Sequence, residues 1–293
     1  MEKLNEDEYL KQAHRILMKI MIEFDRVCRE NNLKYYLICG GLIGAVRHKS
    51  FIPWDDDIDV AMTRDDFEKF EEIAKHTWQG EEFIYVSCKD MKHGAFLDYM
   101  NRLIYLKEEI PVNIYNKIEG KGRSDIYNHL ALDIYTLDVA PNDIEAHKKN
   151  AKFIQGIYGL CMGHRAYIDY SEYSNTKKET KRAVHVLSRI GKVIPLKLLL
   201  YLYTKACTKY RNLESKFYFE SNGWIFCSPL IFRQVWFAEG TEVEVDGYKF
   251  MAPKMYHEFL TAMYGDYMKL PPKEKRHPTH IASSAGIYHV AGQ

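Results

Sequence analysis

Four aspartates fall within five positions in FIPWDDDIDVAM (Asp55, Asp56, Asp57 and Asp59), and the segment runs straight into an apolar stretch. In an extended chain side chains alternate between faces, so Asp57 and Asp59 project to one side while Ile58 and Val60 project to the core. Two carboxylates on a rigid platform result. Like charges held this close raise each other's proton affinity unless a cation compensates, and hard oxygen donors suit Mg²⁺ bound together with substrate phosphates. A solvated acidic turn ahead of a helix is the plain alternative. Against it stand the alternation with strand residues, the Gly40-Gly41 pair upstream, and a further acid, Asp133, in the otherwise apolar LALDIYTLD. A calcium loop fails in detail: the place that needs Gly for its turn is Val60, and the place that wants a bidentate Glu is Asp66.

Phosphate needs donors as well as a cation. Gly40 and Gly41 can bring backbone N–H groups close to a pyrophosphate, and the helix that follows adds the positive end of its dipole. A tight turn is the bland reading of the same pair. Arg47, His48 and Lys49 come next; Arg47 has the fork geometry that suits phosphate oxygens, whereas Lys49 reads as a solvated helix end.

Around these residues the pattern is mixed. Apolar positions at helical spacing from Glu8 to Asn31 predict a first helix. YYLICGG reads as a short buried strand running into a double-glycine turn, LIGAVRH as a helical turn and IDVAM as a second strand. Thr63 with Asp66 forms a variant capping box that opens a helix to about Thr77. Further strands are expected at FIYVS, LDYMNRLIYL and LALDIYTLD, with a loop over Asn113 to Arg123 before the last. After Pro141 the pattern turns helical, with breaks near Ser171 to Asn175, at Gly191 and at Pro195. TEVEVDGYKFMA then predicts a hairpin turning at Asp246-Gly247, followed by a helix from Tyr256 to Tyr264 that stops at Gly265. The expected fold class is α+β, a mixed sheet flanked by helices. The expected divisions are a core over 1–140, a helical subdomain or lid over 141–220, and a hairpin and helix over 221–293 that complete the domain.

Composition sets outer limits. With 46% apolar and 14% aromatic residues a sizeable core is available, and 41 Lys plus Arg against 40 Asp plus Glu gives no global reason to expect a nucleic-acid partner. The acidic start MEKLNEDEYL lacks secretory order, and Val193 to Tyr203 falls short of the ~20 apolar residues that span a bilayer, so a cytoplasmic protein is expected. The cysteines are scattered without zinc-ligand spacing and read as reduced, buried thiols. Between Glu179 and Glu214 there is no acid, while eight Lys and Arg residues accompany VIPLKLLLYLY. Peripheral contact with a membrane is one reading of this segment; a basic-faced helical hairpin packed on the sheet is preferred. Trp54 and the 22 tyrosines invite an aromatic cage for a quaternary ammonium, although ordinary packing explains most of them.

The long segment YYLICGGLIGAVRHKSFIPWDDDIDVAMTRDDFEKF resembles the core motif of the LicD family of phosphocholine transferases, related to fukutin-type phosphoribitol transferases. LALDIYTLDVAP and MYGDYMKLPPKEKRHPTH are similar to later parts of the same family. The resemblance implies a nucleotidyltransferase-like fold in which Asp57, Asp59 and Asp133 hold Mg²⁺, with Mn²⁺ as a substitute, against a donor diphosphate. It implies CDP-choline or another CDP-alcohol as donor, CMP as leaving group and a glycan or teichoic-acid hydroxyl, in some cases lipid-linked, as acceptor. Gly40, Gly41, Arg47, His48 and Arg276 are the expected donor-binding residues, with His280 near Arg276 in the family's arrangement. The chain departs from the family at Leu42, where Ser or Thr is common. Two rival functions use the same carboxylates or fold: passage of AMP or another nucleotide to a small molecule, and a non-catalytic glycan- or nucleotide-binding module.

Overall fold

The computed structural model describes residues 6–93, 96–109, 129–165, 168, 178–223 and 230–278. Helix α1 (Glu6–Glu30) turns one apolar stripe inward, from Tyr9 and Leu10 through Ile16, Ile20 and Phe24 to Cys28, with acids in its first turn and Arg29 in its last. Strand β1 (Tyr36–Leu37) follows, then α2 (Cys39–Arg47), β2 (Asp59–Thr63) and α3 (Arg64–Thr77). The double glycine is not a turn ahead of the helix: α2 already begins at Cys39, so Gly40 and Gly41 lie in its first turn. The reversal falls instead on Cys39, whose φ of 49° lies in the left-handed region. Thr63 caps α3 as expected, its hydroxyl accepting from the Asp66 N–H, an interaction worth about 1 kcal/mol.

Strands β3 (Phe83–Val86), β4 (Asn101–Tyr105) and β5 (Ala131–Ala140) complete the order β1-β2-β5-β4-β3, and β6 (Phe217–Glu220) and β7 (Phe232–Arg233) extend the sheet from β5. β2 and β5 run parallel; the other pairings are antiparallel. β5 changes partner along one edge: its first half pairs β4 through Ile134, and its second half pairs β6 from Leu137. Asn222 bridges the gap, its side-chain oxygen accepting from the Thr136 N–H at 2.6 Å and its amide donating to the Ile134 carbonyl at 2.8 Å. This exchange of neighbours lets the sheet curl around α1 and α3.

Helices α4 (Ile144–Cys161), α5 (Lys178–Gly191) and α6 (Leu196–Cys207) form a layer on the far half of β5 and β6. Ile154 and Ile157 from α4 and Leu199, Leu200 and Tyr203 from α6 share a core with Ala140 and Phe219 of the sheet. The breaks at Gly191 and Pro195 lie where expected; Ser171 to Asn175 and the loop from Asn113 to Arg123 lie outside the described residues. Strands β8 (Gly240–Val245) and β9 (Tyr248–Pro253) make the expected hairpin. Asp246 (φ 47°) and Gly247 (φ 83°) both take positive φ, as a tight primed turn requires. Helix α7 (Tyr256–Tyr264) ends at Gly265 and closes the main core with Phe259 and Leu260. Among the described residues no helix is long and apolar enough to cross a membrane. The architecture is a mixed α+β fold, a curled sheet flanked by helices with a C-terminal hairpin and helix.

Candidate active site

Parallel pairing places Asp59 directly beside Asp133, at the first residue of β2 and near the start of β5. Neighbouring strands stand about 4.8 Å apart, so the two side chains leave the same face of the sheet as close neighbours. Asp57 precedes the strand and is half-buried, Asp59 is buried, and Ile58 and Val60 point into the core as alternation requires. Asp56 turns the other way and is 1% exposed, its charge acting on Tyr9 and His14 of α1. His14 supports the same loop from behind: it stacks on Phe51, and its Nε2 bonds the Asp55 carbonyl at 2.7 Å.

The glycines now have identifiable work. A Cβ on Gly40 would lie 2.0 Å from Asp55 Oδ2, so the absent side chain is what lets that carboxylate reach the start of α2. Gly41 is buried against Leu37 and Ile58 and fixes helix-to-strand packing. Leu42, the departure from the family pattern, is fully buried.

On the sheet face, Arg102 of β4 stands opposite Asp133 in the register and forms a 3.0 Å ion pair with it, while its other nitrogens hold Asp98 at 3.0 and 2.8 Å. Burial would raise the Asp98 carboxyl, but the Arg102 charge and hydrogen bonds bring it below the usual carboxylate range. Farther along the same edge of β5, Glu220 ends β6 opposite Leu137, which shares a face with Asp133 and Tyr135. Burial pushes the Glu220 carboxyl up to about 7. Three further groups register the combined negative field. Burial, then Asp59 and Glu220, push the Cys39 thiol up. Tyr135 is raised by burial and then by Asp59, Cys39, Asp133 and Glu220. Tyr264 is raised first by Cys39, then by partial burial and the same two acids.

The expected basic residues meet the aspartate loop at its Trp54–Asp55 end. Arg47 and His48 stand at the other end of α2, about 10 Å along its axis from Gly40. Arg47 donates to the Tyr267 carbonyl at 2.6 Å and to His48 Nε2 at 3.0 Å, so it fastens the C-terminal segment. Burial and then Arg47 lower the His48 imidazole. Arg276 lies over the Trp54 ring, 5.4 Å from its centroid, and donates to the Pro271 carbonyl. His48 meets the same indole edge-on. Trp54 thus joins the loop of aspartates to the basic residues, its face already occupied by a guanidinium. His280 lies outside the described residues.

The structure therefore pairs Asp59 with Asp133, sets Asp57 in the loop just before β2 and Gly40 against Asp55, and adds Arg102 and Glu220. Arg102 carried no sequence signal, since its role depends on strand register. Glu220 carried a faint one, a lone acid closing the aromatic run FYFE. Among the described residues no group of three or more His, Cys, Asp or Glu is gathered closely enough to hold a metal by itself. The donor set nevertheless fits Mg²⁺, which takes one or two carboxylates and completes its shell with water and substrate phosphates.

Residues 32–115 match the family model described as LicD/FKTN/FKRP, nucleotidyltransferase domain, an interval that includes the aspartate loop and ends before Asp133. The chain is similar to lipopolysaccharide cholinephosphotransferase LicD of Haemophilus influenzae, with 28% identity over 285 residues, covering 93% of this chain and 96% of that protein. An uncharacterized protein of Rickettsia typhi is 39% identical over 135 residues, 39% of this chain and 44% of that protein. Another from Rickettsia prowazekii is 29% identical over 110 residues, 34% of this chain and 41% of that protein.

Proposed function

The chain carries a LicD-family nucleotidyltransferase-like domain, and from that premise we propose that it transfers a phosphoalcohol, phosphocholine foremost, from a CDP-activated donor to a hydroxyl of a glycan or teichoic-acid precursor, releasing CMP. The observation that carries the reading is the in-register placement of Asp59 beside Asp133, with Asp57 next to them on the loop.

In this scheme Asp57 and Asp59 hold Mg²⁺, with Asp133 as the third carboxylate. The ion when bound neutralises the donor diphosphate and stabilises the departing phosphate. The acceptor oxygen attacks the phosphorus that bears the alcohol, forming one P–O bond as the bond to the bridging oxygen of CMP breaks. Where Asp133 does not complete the metal site it accepts the acceptor's proton; otherwise Glu220, whose proton affinity burial raises to about 7, is the carboxylate on this face for that role. Arg102 fixes Asp133 toward β4 and tempers the repulsion among the acids before substrate arrives. The rest of catalysis is positioning and electrostatics, as in other phosphoryl transfers.

Calorimetric titration with CDP-choline, CDP-ribitol, CDP-glycerol and ATP, each with and without Mg²⁺, tests the reading. Mg²⁺-dependent binding of one CDP-alcohol, lost in Asp57→Asn, supports it. Binding of ATP alone moves the assignment to nucleotidyl transfer, and binding without turnover leaves a non-catalytic module.

A further inference from the structure

Helix α6 is apolar on its inner side, through Leu196, Leu199, Leu200 and Tyr203, and again on its outer side, through Leu198, Tyr201 and Leu202. A helix apolar all round belongs in contact on both sides. Here the inner side packs on α4 and the sheet, and the outer side is exposed. Residues 198, 201, 202 and 205 follow helical spacing, so Lys205 borders the same stripe, and Lys197 flanks it one turn before Tyr201. The stripe continues past Pro195 to Val193, 83% exposed at the tip of the α5–α6 turn, and to Ile190 on α5. On its other side it reaches Phe153 of α4 across a groove of about 520 Å³ between α4 and α6.

The same face is basic. Arg189, Lys192, Lys197, Lys205, Lys209 and Lys149 border it, and the chain has no acid from 180 to 213. Nearby ion pairs use other residues: Lys148 with Glu145, and Arg211 with Asp65 and Glu68. Lys205 and Lys209 instead lie over the rings of Tyr201 and Tyr210. Exposed aliphatic side chains ringed by cations without carboxylate partners among the described residues match one surface in chemistry: apolar chains beneath anionic headgroups. A second copy of the chain would bring like charges together, and a nucleic acid would leave Val193, Ile190 and Leu198 without apolar contact.

We propose that the outer face of α6, the turn at Val193 and the α4–α6 groove dock on a bilayer surface that carries anionic lipids. The turn enters the headgroup boundary, and the lysines lie among the headgroups. With a formal net charge of only +1, the attraction is local to this face.

The test is co-sedimentation of the full chain with vesicles of phosphatidylcholine alone and with phosphatidylglycerol added, at low and high salt. Binding is expected only to the acidic vesicles, weakening with salt. It should fall by about thirtyfold or more in Lys197→Glu/Lys205→Glu. It should also fall in Val193→Asp/Leu198→Asp, while Lys34→Glu/Lys69→Glu, an equal charge change elsewhere on the surface, should leave it intact. Circular dichroism must match wild type in each variant. Absence of binding to acidic vesicles overturns the proposal, as does equal loss in the control pair. A salt-insensitive dimer dispersed by Val193→Asp/Leu198→Asp assigns the face to a second copy and overturns it as well. None of these measurements involves a nucleotide donor, so the result stands apart from the proposed reaction.

Discussion

Asp55 and Gly40 are paired by what Gly40 lacks: the Asp55 carboxylate fills the space a side chain would take, with Oδ2 2.0 Å from the position of a Cβ. Gly40→Ala therefore displaces a carboxylate from the start of α2. The Asp55 side chain must turn away, and a cost of up to about 1 kcal/mol is expected, seen as a lower urea midpoint. In Gly40→Ala/Asp55→Ala the clash is gone, and stability should recover relative to Gly40→Ala. Equal stability of the two variants would show that the contact carries no energy.

Asp57→Asn and Asp59→Asn remove charge at nearly constant shape. Turnover should fall by about 100-fold or more, since an amide is a poor ligand for a hard cation. Stability without divalent ion should stay within about 1 kcal/mol of wild type, because the substitution also relieves repulsion. An active Asn variant at either position would sink the proposed chemistry.

Arg64 and Asp138 form a buried, two-pronged ion pair at 3.0 and 2.6 Å that ties α3 to β5, with Ser221 as a further acceptor. Arg64→Met leaves Asp138 charged and buried, and a loss of about 3–5 kcal/mol is expected. Arg64→Met/Asp138→Leu should regain most of it. Thermal and urea unfolding of the three proteins measure both effects.

Glu220 makes stability depend on pH with a definite sign. Its carboxyl titrates near 7 in the folded chain and in the ordinary carboxylate range in the unfolded chain, so the folded state holds the proton more tightly between those values. Stability from this group is complete below the unfolded value and falls as pH rises through about 7. In EDTA, Glu220→Gln should match wild type near pH 4 and exceed it at pH 8 by on the order of 2 kcal/mol. A constant difference across the range would show that Glu220 titrates as an ordinary surface acid.

Local rules carried much of the fold. Thr63 and Asp66 announce the start of α3, Asp246-Gly247 the hairpin and Gly265 the end of α7, because each element boundary is decided by a few adjacent residues. The alternation of Asp57 and Asp59 with Ile58 and Val60 was equally local, and Ile58 and Val60 are buried as it requires. Long-range geometry was not legible. Arg102 matters through its place opposite Asp133 in the β4–β5 register, and Glu220 through the switch of partners along β5. Arg47 has the chemistry of a phosphate ligand, and its bonds to carbonyls 220 and 222 positions away follow from no local pattern. The double glycine misled in conformation, because the residue that reverses the chain is Cys39, whose side chain gives no hint of positive φ.

Asn222, which completes the edge of β5 with its side chain, is followed by Gly223. An asparagine before glycine loses ammonia more readily than others, because glycine leaves room for the next backbone nitrogen to attack the side-chain carbonyl. In the folded protein that amide is held at both ends by Thr136 and Ile134 and is not free to close the ring. Each excursion to an open chain exposes it. The ring opens to aspartate or isoaspartate, and either would set an oxygen against the Ile134 carbonyl in place of the donor that now sits 2.8 Å away. The stitch that closes the sheet thus hangs on a single amide nitrogen, and its chemical lifetime is set by how seldom the chain opens.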